Sequence, residues 1–301
     1  MTTTSDVLYD AGFTDNDDVI AALEDMIDNE AWVEREFYRG TDSQRLTWGW
    51  DGFKAFTKNN TRFFFLQNGD YDRDEVTPAE VLAAISQMIL SELGDAGLIK
   101  PIEVNADLIR IRVADQPHEL VGEIGSPKPE FARQSNRMSP AGIPMFYGAF
   151  DYPTALAETF DPAAHAGQIL STGTFRPLRQ LRVLNLADLP TVPSVFDIDH
   201  HDTIHSLRFL HAFARDISQP IARDGREHIE YVPTQIVTEY FRRVFRFKDG
   251  GQLDGIIYSS AKTIGSKAFV LFCENGQCIG PNDDGGRDAL LRLVNVGHAK
   301  P

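Results

Sequence analysis

Residues 136–158 read NRMSPAGIPMFYGAFDYPTALAE. Pro140, Gly142 and Pro144 follow one another too closely for a helix, so the chain turns here and carries Arg137 on a cationic loop. Met145-Phe146-Tyr147-Gly148-Ala149-Phe150 then reads as a short buried strand. Asp151-Tyr152-Pro153-Thr154 has the form of a helix start, polar ahead of the first turn with a proline near its beginning. Ala155-Leu156-Ala157-Glu158 continues that helix and places a carboxylate in its first or second turn. Two readings of Glu158 stay open. A helix N-terminus is electropositive, so the carboxylate could complement it at the surface; or it points into a cleft beside Arg137 and Tyr147.

Upstream, Leu108-Ile109-Arg110-Ile111-Arg112-Val113 alternates as a strand with Arg110 and Arg112 on one face. If that face is buried, two cations there need anionic partners. Downstream, 168–175 and 181–186 are β-rich, and 201–218 (HDTIHSLRFLHAFARDIS) is helical, with Ile204, Leu207, Leu210, Phe213 and Ala214 as its core face. Tyr231-Val232-Pro233-Thr234-Gln235 opens another helix through Phe241, capped by Thr234 or an earlier residue, and Gly250-Gly251 breaks it. Asp254–Ser259 and Lys267–Phe272 are the closing strands.

Toward the N-terminus the pattern is helical. The first thirty residues hold nine acidic side chains and no lysine or arginine, which reads as a solvated helix face or a docking surface for a basic partner. Trp50, Phe53 and Phe56 are at helical spacing, and Phe63-Phe64-Phe65-Leu66 reads as core. Thr77-Pro78-Ala79-Glu80 is a capping box with proline at the first helical position. Val81, Leu82, Ile85, Met88, Ile89 and Leu93 then form one apolar stripe that ends at Gly94 and Gly97. Lys100-Pro101 is the expected boundary, where helical spacing gives way to alternation.

Composition removes several classes of function. The chain has 301 residues, 42% hydrophobic and 24% charged, in the range of soluble globular proteins. A net charge of −15 opposes a nucleic-acid-wrapping surface. There is no apolar run of membrane-spanning length, and the N-terminus lacks the basic and apolar regions of a secretory signal, so a cytoplasmic location is expected. Cys273 and Cys278 have no second pair and read as ordinary thiols beside the Asn275-Gly276 turn. The histidine-rich stretch 197–205 (DIDHHDTIH) lacks the HExxH arrangement, and its acids suit a helix start, so no metal is expected. No G-x-S-x-G and no strand-linked glycine fingerprint occurs, which leaves out a serine hydrolase of that type and a Rossmann cofactor site.

Five pieces fall in a family order: Leu108–Arg112, Asn136–Gly142 with Tyr147, Thr154–Glu158, Tyr231–Gln235 and Asp254–Ser260. Over about Asp107 to Phe272 the chain resembles the RES domain. Residues 48–66 resemble the HEPN-like extension found on some RES proteins. The ribonuclease signature of that label needs a histidine, and none occurs before His118, so a helical scaffold is what remains. The implied architecture is α+β: a helical N-terminal domain over 1–100, then over 101–301 a RES domain with an ADP-ribosyltransferase-like mixed sheet and flanking helices.

The implied activity is consumption of NAD as the toxin of a toxin–antitoxin or defence system, by hydrolysis or phosphorolysis of the nicotinamide–ribose bond. The resemblance assigns Arg110, Glu158 and Ser260 to catalysis, and Arg110, Arg137, Tyr147 and Ser260 to holding NAD. Glu158 would stabilise the oxocarbenium-like charge, the arginines would clamp phosphate or carboxamide oxygens, and Tyr147 would stack. Nicotinamide leaves as a neutral molecule, so no strong general acid is needed. Arg112 could replace Arg110, and Ser259 could replace Ser260; Asn136 stands where the family often has glycine. The implied partner is an antitoxin with a helix-turn-helix domain, with no nucleic acid and no membrane, and a homo-oligomer is compatible with the pattern. ADP-ribosyl transfer to a protein or nucleotide is one rival; a catalytically inert binding module is the other.

Overall fold

The computed structural model describes residues 3–10, 16–27, 42–63, 77–91, 97–194, 196–219 and 225–300. The chain divides at Arg45/Leu46 into two compact units. The first holds α1 (Thr4–Asp10) and α2 (Asp17–Glu24). Asn16 caps α2, its side-chain oxygen accepting from the Asp18 N–H at 3.0 Å. Asp17 and Asp18 then occupy the first turn, where the helix end is electropositive. Part of the acidic run therefore serves the helix start. Met26 lies beyond the end of α2 and is exposed.

In the second unit the helices are α3 (Asp42–Asn59, which enters this unit at Leu46), α4 (Pro78–Leu90), α5 (Val121–Ile124), α6 (Tyr152–Thr159), α7 (Ile204–Ser218), α8 (Glu227–Glu230) and α9 (Val232–Arg243). The strands are β1 (Ile99–Ile102), β2 (Leu108–Ala114), β3 (Phe146–Ala149), β4 (Ile169–Pro177), β5 (Leu181–Asn185), β6 (Gly255–Ser259), β7 (Lys267–Leu271), β8 (Cys278–Ile279) and β9 (Leu291–Ala299). They form one mixed sheet in the order β1-β5-β6-β7-β3-β2-β4-β9-β8. β5–β6 and β8–β9 run parallel and the other neighbours antiparallel. This is the expected α+β class.

Both faces of the central strands are buried, so β6 and β7 read as near-continuous apolar runs instead of alternating ones. Ile256, Tyr258, Ala268 and Val270 face a core shared with Trp50 and Phe53 of α3, Val81, Ile85 and Ile89 of α4, Leu210 and Phe213 of α7 and Phe241 of α9. Ile257, Phe269 and Leu271 face the opposite core with Phe146, Phe175 and Leu291. α3 and α4 thus share one core with the sheet. Backbone packs closely at two glycines. A Cβ on Gly255 would sit 2.3 Å from the Val270 carbonyl oxygen, and one on Gly148 2.7 Å from that of Ile109.

The capping box of α4 forms in both directions: Glu80 Oε2 accepts from the Thr77 N–H at 2.7 Å, and Thr77 Oγ1 from the Glu80 N–H at 3.3 Å. Several expectations change. The stripe expected to run to Leu93 and Gly94 closes at Leu90; those two residues lie outside the described ones. Lys100-Pro101, expected as a boundary, is inside β1, an edge strand; a proline there removes no N–H that the sheet interior needs. Phe63 is exposed, whereas Phe64, Phe65 and Leu66 lie outside the described residues. The last strand is β9, not the stretch ending at Phe272; its paired outer half is too polar to announce itself. Of the two caps left open for α9, the earlier residue holds: Tyr231 is the N-cap and Thr234 lies in the first turn of the helix. Cys273 and Cys278 are buried free thiols with sulfurs 3.6 Å apart. The histidine-rich stretch begins with a 3-10 turn, Ile198–Thr203, that leads into α7, and His200 Nδ1 lies 3.0 Å from Asp197.

Candidate active site

The loop ahead of β3 is built before any substrate is considered. Asn136 and Ser139 form an isolated antiparallel bridge, and Gly142, at φ 86°, donates its N–H to the Ala132 carbonyl at 2.7 Å. A positive φ of this size suits glycine and few other residues. The first turn of α9 pins the loop from the other side. Gln235 Nε2 donates to Ser135 Oγ and to the Asn136 carbonyl, each at 2.7 Å, and Thr234 Oγ1 donates to the Arg137 carbonyl at 2.5 Å. The Tyr231–Gln235 landmark is therefore the support of Arg137. Arg137 itself donates to the carbonyl of Ile217 at 2.6 Å. That carbonyl belongs to the last turn of α7, where main-chain acceptors lack helical partners and a cation is favoured.

Arg110 is held in a similar way. Its Nε donates to the Ile124 carbonyl at 3.0 Å and its Nη1 to that of Tyr147 at 2.6 Å, while the guanidinium lies 5.0 Å from the centre of the Phe146 ring. Burial lowers its pKa to about 9, and neighbouring Arg112 pushes the same way. A buried cation ordinarily needs an anionic partner. Main-chain carbonyls supply the acceptors instead, so the charge stays uncompensated. Arg112 is half-buried, its pKa lowered by desolvation, and it has no hydrogen bond or ion pair among the described residues.

Glu158 comes from α6. Asp151 caps this helix, its Oδ1 accepting from the Thr154 N–H at 2.8 Å. The helix has only eight residues, so Glu158 is in its last turn, not at the electropositive end. The dipole reading of Glu158 fails on that position, since a C-terminal turn disfavours a carboxylate. What holds the side chain is Ser260, whose Oγ donates to Oε1 at 2.5 Å. The same Oγ accepts from the N–H groups of Lys262 and Thr263 at 3.2 and 3.1 Å. One donor and two lone pairs are then all in use. Ser259 is exposed on the other side of the strand end, whereas Ser260 falls on the same side as Tyr258.

Arg110, Arg137, Tyr147 and Glu158 line one cleft of about 670 Å³, and Ser260 reaches it through Glu158. The volume is that of a site for a small molecule or nucleotide. Five cationic side chains line it (Arg110, Arg112, Arg133, Arg137 and Lys262) against one carboxylate, in a chain of net charge −15. No ion pair involves those five among the described residues. Such concentration of one sign in a recess focuses the field on an anionic ligand. Tyr147 is half-buried; desolvation pushes its phenol up to about 12, and its hydroxyl lies 2.8 Å from Ser139 Oγ.

Residues 108–286 match the model of the RES domain, and residues 1–71 match HEPN/RES N-terminal domain 1. The chain belongs to the RES domain family. No curated protein and no solved structure matches it. Among the described residues no helix is long and apolar enough to cross a membrane, and no group of three metal-binding side chains occurs.

Lys262, His165 and Tyr258 also line the cleft of this RES domain and were given no role from sequence. His165 Nδ1 accepts from the Asp161 N–H at 3.0 Å, which leaves the ring hydrogen on Nε2. Alternation along β6 could have found Tyr258, two residues before Ser260 on the same side. Nothing in the spacing marks His165, which follows α6 in a loop.

Proposed function

We propose that this RES domain protein consumes NAD, breaking the bond between nicotinamide and ribose, as the toxin of a toxin–antitoxin or defence pair. The observation that carries the reading is a single carboxylate, fixed by Ser260, in a cleft lined also by five cations that have no ion pair among the described residues. A dinucleotide brings both complements: a pyrophosphate for the arginines, and a ribose that becomes cationic as its bond to nicotinamide breaks. Arg110 and Arg137 bind the anionic oxygens, Tyr147 forms a wall for the base, and Glu158 stabilises the developing positive charge. Ser260, with its hydrogen-bonding capacity in use, acts by holding Glu158. Arg110 and Arg112 both line the cleft; Arg110, the more rigidly held, is taken as the structural clamp.

Incubating the purified chain with NAD and following free nicotinamide tests the activity. Release above the uncatalysed rate is expected, and its absence with NAD bound leaves the binding-module reading. Repeating it with radiolabelled NAD, inorganic phosphate and cell lysate identifies the acceptor: water, phosphate or a macromolecule. A co-purified helix-turn-helix protein that suppresses release would supply the antitoxin.

A further inference from the structure

Tyr258 lies on β6, lines the cleft and is only 8% exposed. Its ring packs in the helical-side core, but its hydroxyl forms no hydrogen bond among the described residues. A buried hydroxyl is ordinarily paired, and leaving one unpaired costs free energy that the fold has to offset elsewhere. Two further observations say what kind of partner is missing. Burial raises the phenol's pKa, and the Glu158 carboxylate raises it further, so the group stays protonated and is a donor. Glu158 uses Oε1 on Ser260, and no partner of Oε2 is found among the described residues. A buried donor and an open carboxylate oxygen thus border the same recess.

A ribose hydroxyl fits that pair. It donates one hydrogen, to the carboxylate, and its oxygen accepts another, from the phenol. We infer that Tyr258 is a substrate-binding donor, holding a ribose hydroxyl of the nucleotide against Glu158. The inference rests on the nucleotide reading of the cleft and deepens it. In this arrangement the hydroxyl satisfies two groups at once, so a nucleotide lacking it leaves both unpaired in a desolvated site. Sites built this way reject such analogues strongly.

Tyr258→Phe keeps the ring and its packing and removes only the oxygen. Three readouts on the full chain decide the matter: thermal unfolding without ligand, calorimetric titration with ADP-ribose, and nicotinamide release from NAD. The expected result is an unfolding temperature unchanged or raised by about 2 °C, since an unpaired polar atom is lost from the interior. ADP-ribose affinity falls about fivefold to tenfold, the loss of one neutral hydrogen bond, and kcat/KM falls at least as much. A clear drop in unfolding temperature would mean that the hydroxyl has a partner within the protein, and overturns the inference. Unchanged ADP-ribose affinity also overturns it, as expected of a phenol that holds only solvent. If the wild-type chain binds neither ADP-ribose nor NAD, the nucleotide reading of the whole cleft falls, and this inference with it. Binding by wild type with no change in the variant removes Tyr258 alone.

Discussion

Ser260 Oγ donates to Glu158 Oε1 at 2.5 Å, joining the loop after β6 to the last turn of α6 across 102 positions of sequence. A carboxylate held this way keeps its geometry without losing its charge. Glu158→Gln keeps the size and should bind NAD almost as wild type does, while turnover falls about a hundredfold to a thousandfold. Ser260→Ala should cost about tenfold, by loosening the carboxylate. In the double variant Ser260→Ala adds little to Glu158→Gln, because the two act as a unit. Single-turnover nicotinamide release measures all three, and unaltered release by Glu158→Gln ends the catalytic reading.

Arg112 has no partner within the described fold, so Arg112→Gln should leave stability unchanged or raise it by up to about 1 kcal/mol. KM for NAD should rise several-fold, and the rise should shrink as salt is added. Arg110→Gln leaves the Ile124 and Tyr147 carbonyls short of a donor and should lower both stability and turnover. A larger loss of turnover from Arg112→Gln than from Arg110→Gln would reverse the roles of the two arginines.

Alkaline pH reads the buried phenols. An unfolded tyrosine gives up its proton near pH 10, whereas folded Tyr147 keeps it to about 12 and Tyr258 is shifted in the same direction. A raised folded pKa contributes stability in full below pH 10, and that contribution declines as pH climbs from 10 toward 12. Wild type should therefore lose more unfolding free energy between pH 9 and pH 11 than Tyr258→Phe, by about 1 kcal/mol. Denaturant titrations at the two pH values give the difference; equal losses would place the Tyr258 phenol in solvent.

Gly255→Ala puts a methyl carbon where the Val270 carbonyl oxygen already lies at 2.3 Å. Neither the strand nor its neighbour can yield without breaking the β6–β7 ladder, so a loss of about 1–3 kcal/mol is expected. The midpoint of urea unfolding measures it; an unchanged midpoint would mean that the two strands are less tightly paired.

Local signals carried much of the fold. The capping box at Thr77, the proline-led start of α6 and the apolar runs of β6 and β7 all act within a few residues of themselves, where sequence patterns are legible. β1 and β9 escaped because both are exposed over much of their length and owe their form to a neighbour: β1 to β5, β9 to β4. Glu158 shows the same divide. Its helix could be read from Asp151 and Pro153, but the end of that helix could not, and the end decides what the carboxylate does. The support of Arg137 by Thr234 and Gln235 depends on pairs nearly a hundred positions apart, for which local spacing has no signal.

Arg110 and Arg137 are both fastened to main-chain oxygens, those of Ile124, Tyr147 and Ile217. Every amino acid has that oxygen. Side-chain replacements at those three positions can therefore accumulate over evolutionary time without unfastening either cation, so long as the backbone keeps its path. A carboxylate anchor could be lost to one codon change, and it would also have neutralised the charge it held. The cleft's positive field is in this sense inherited from the course of the chain, and its vulnerable points are few: the arginines themselves, and the glycines and caps that set that course.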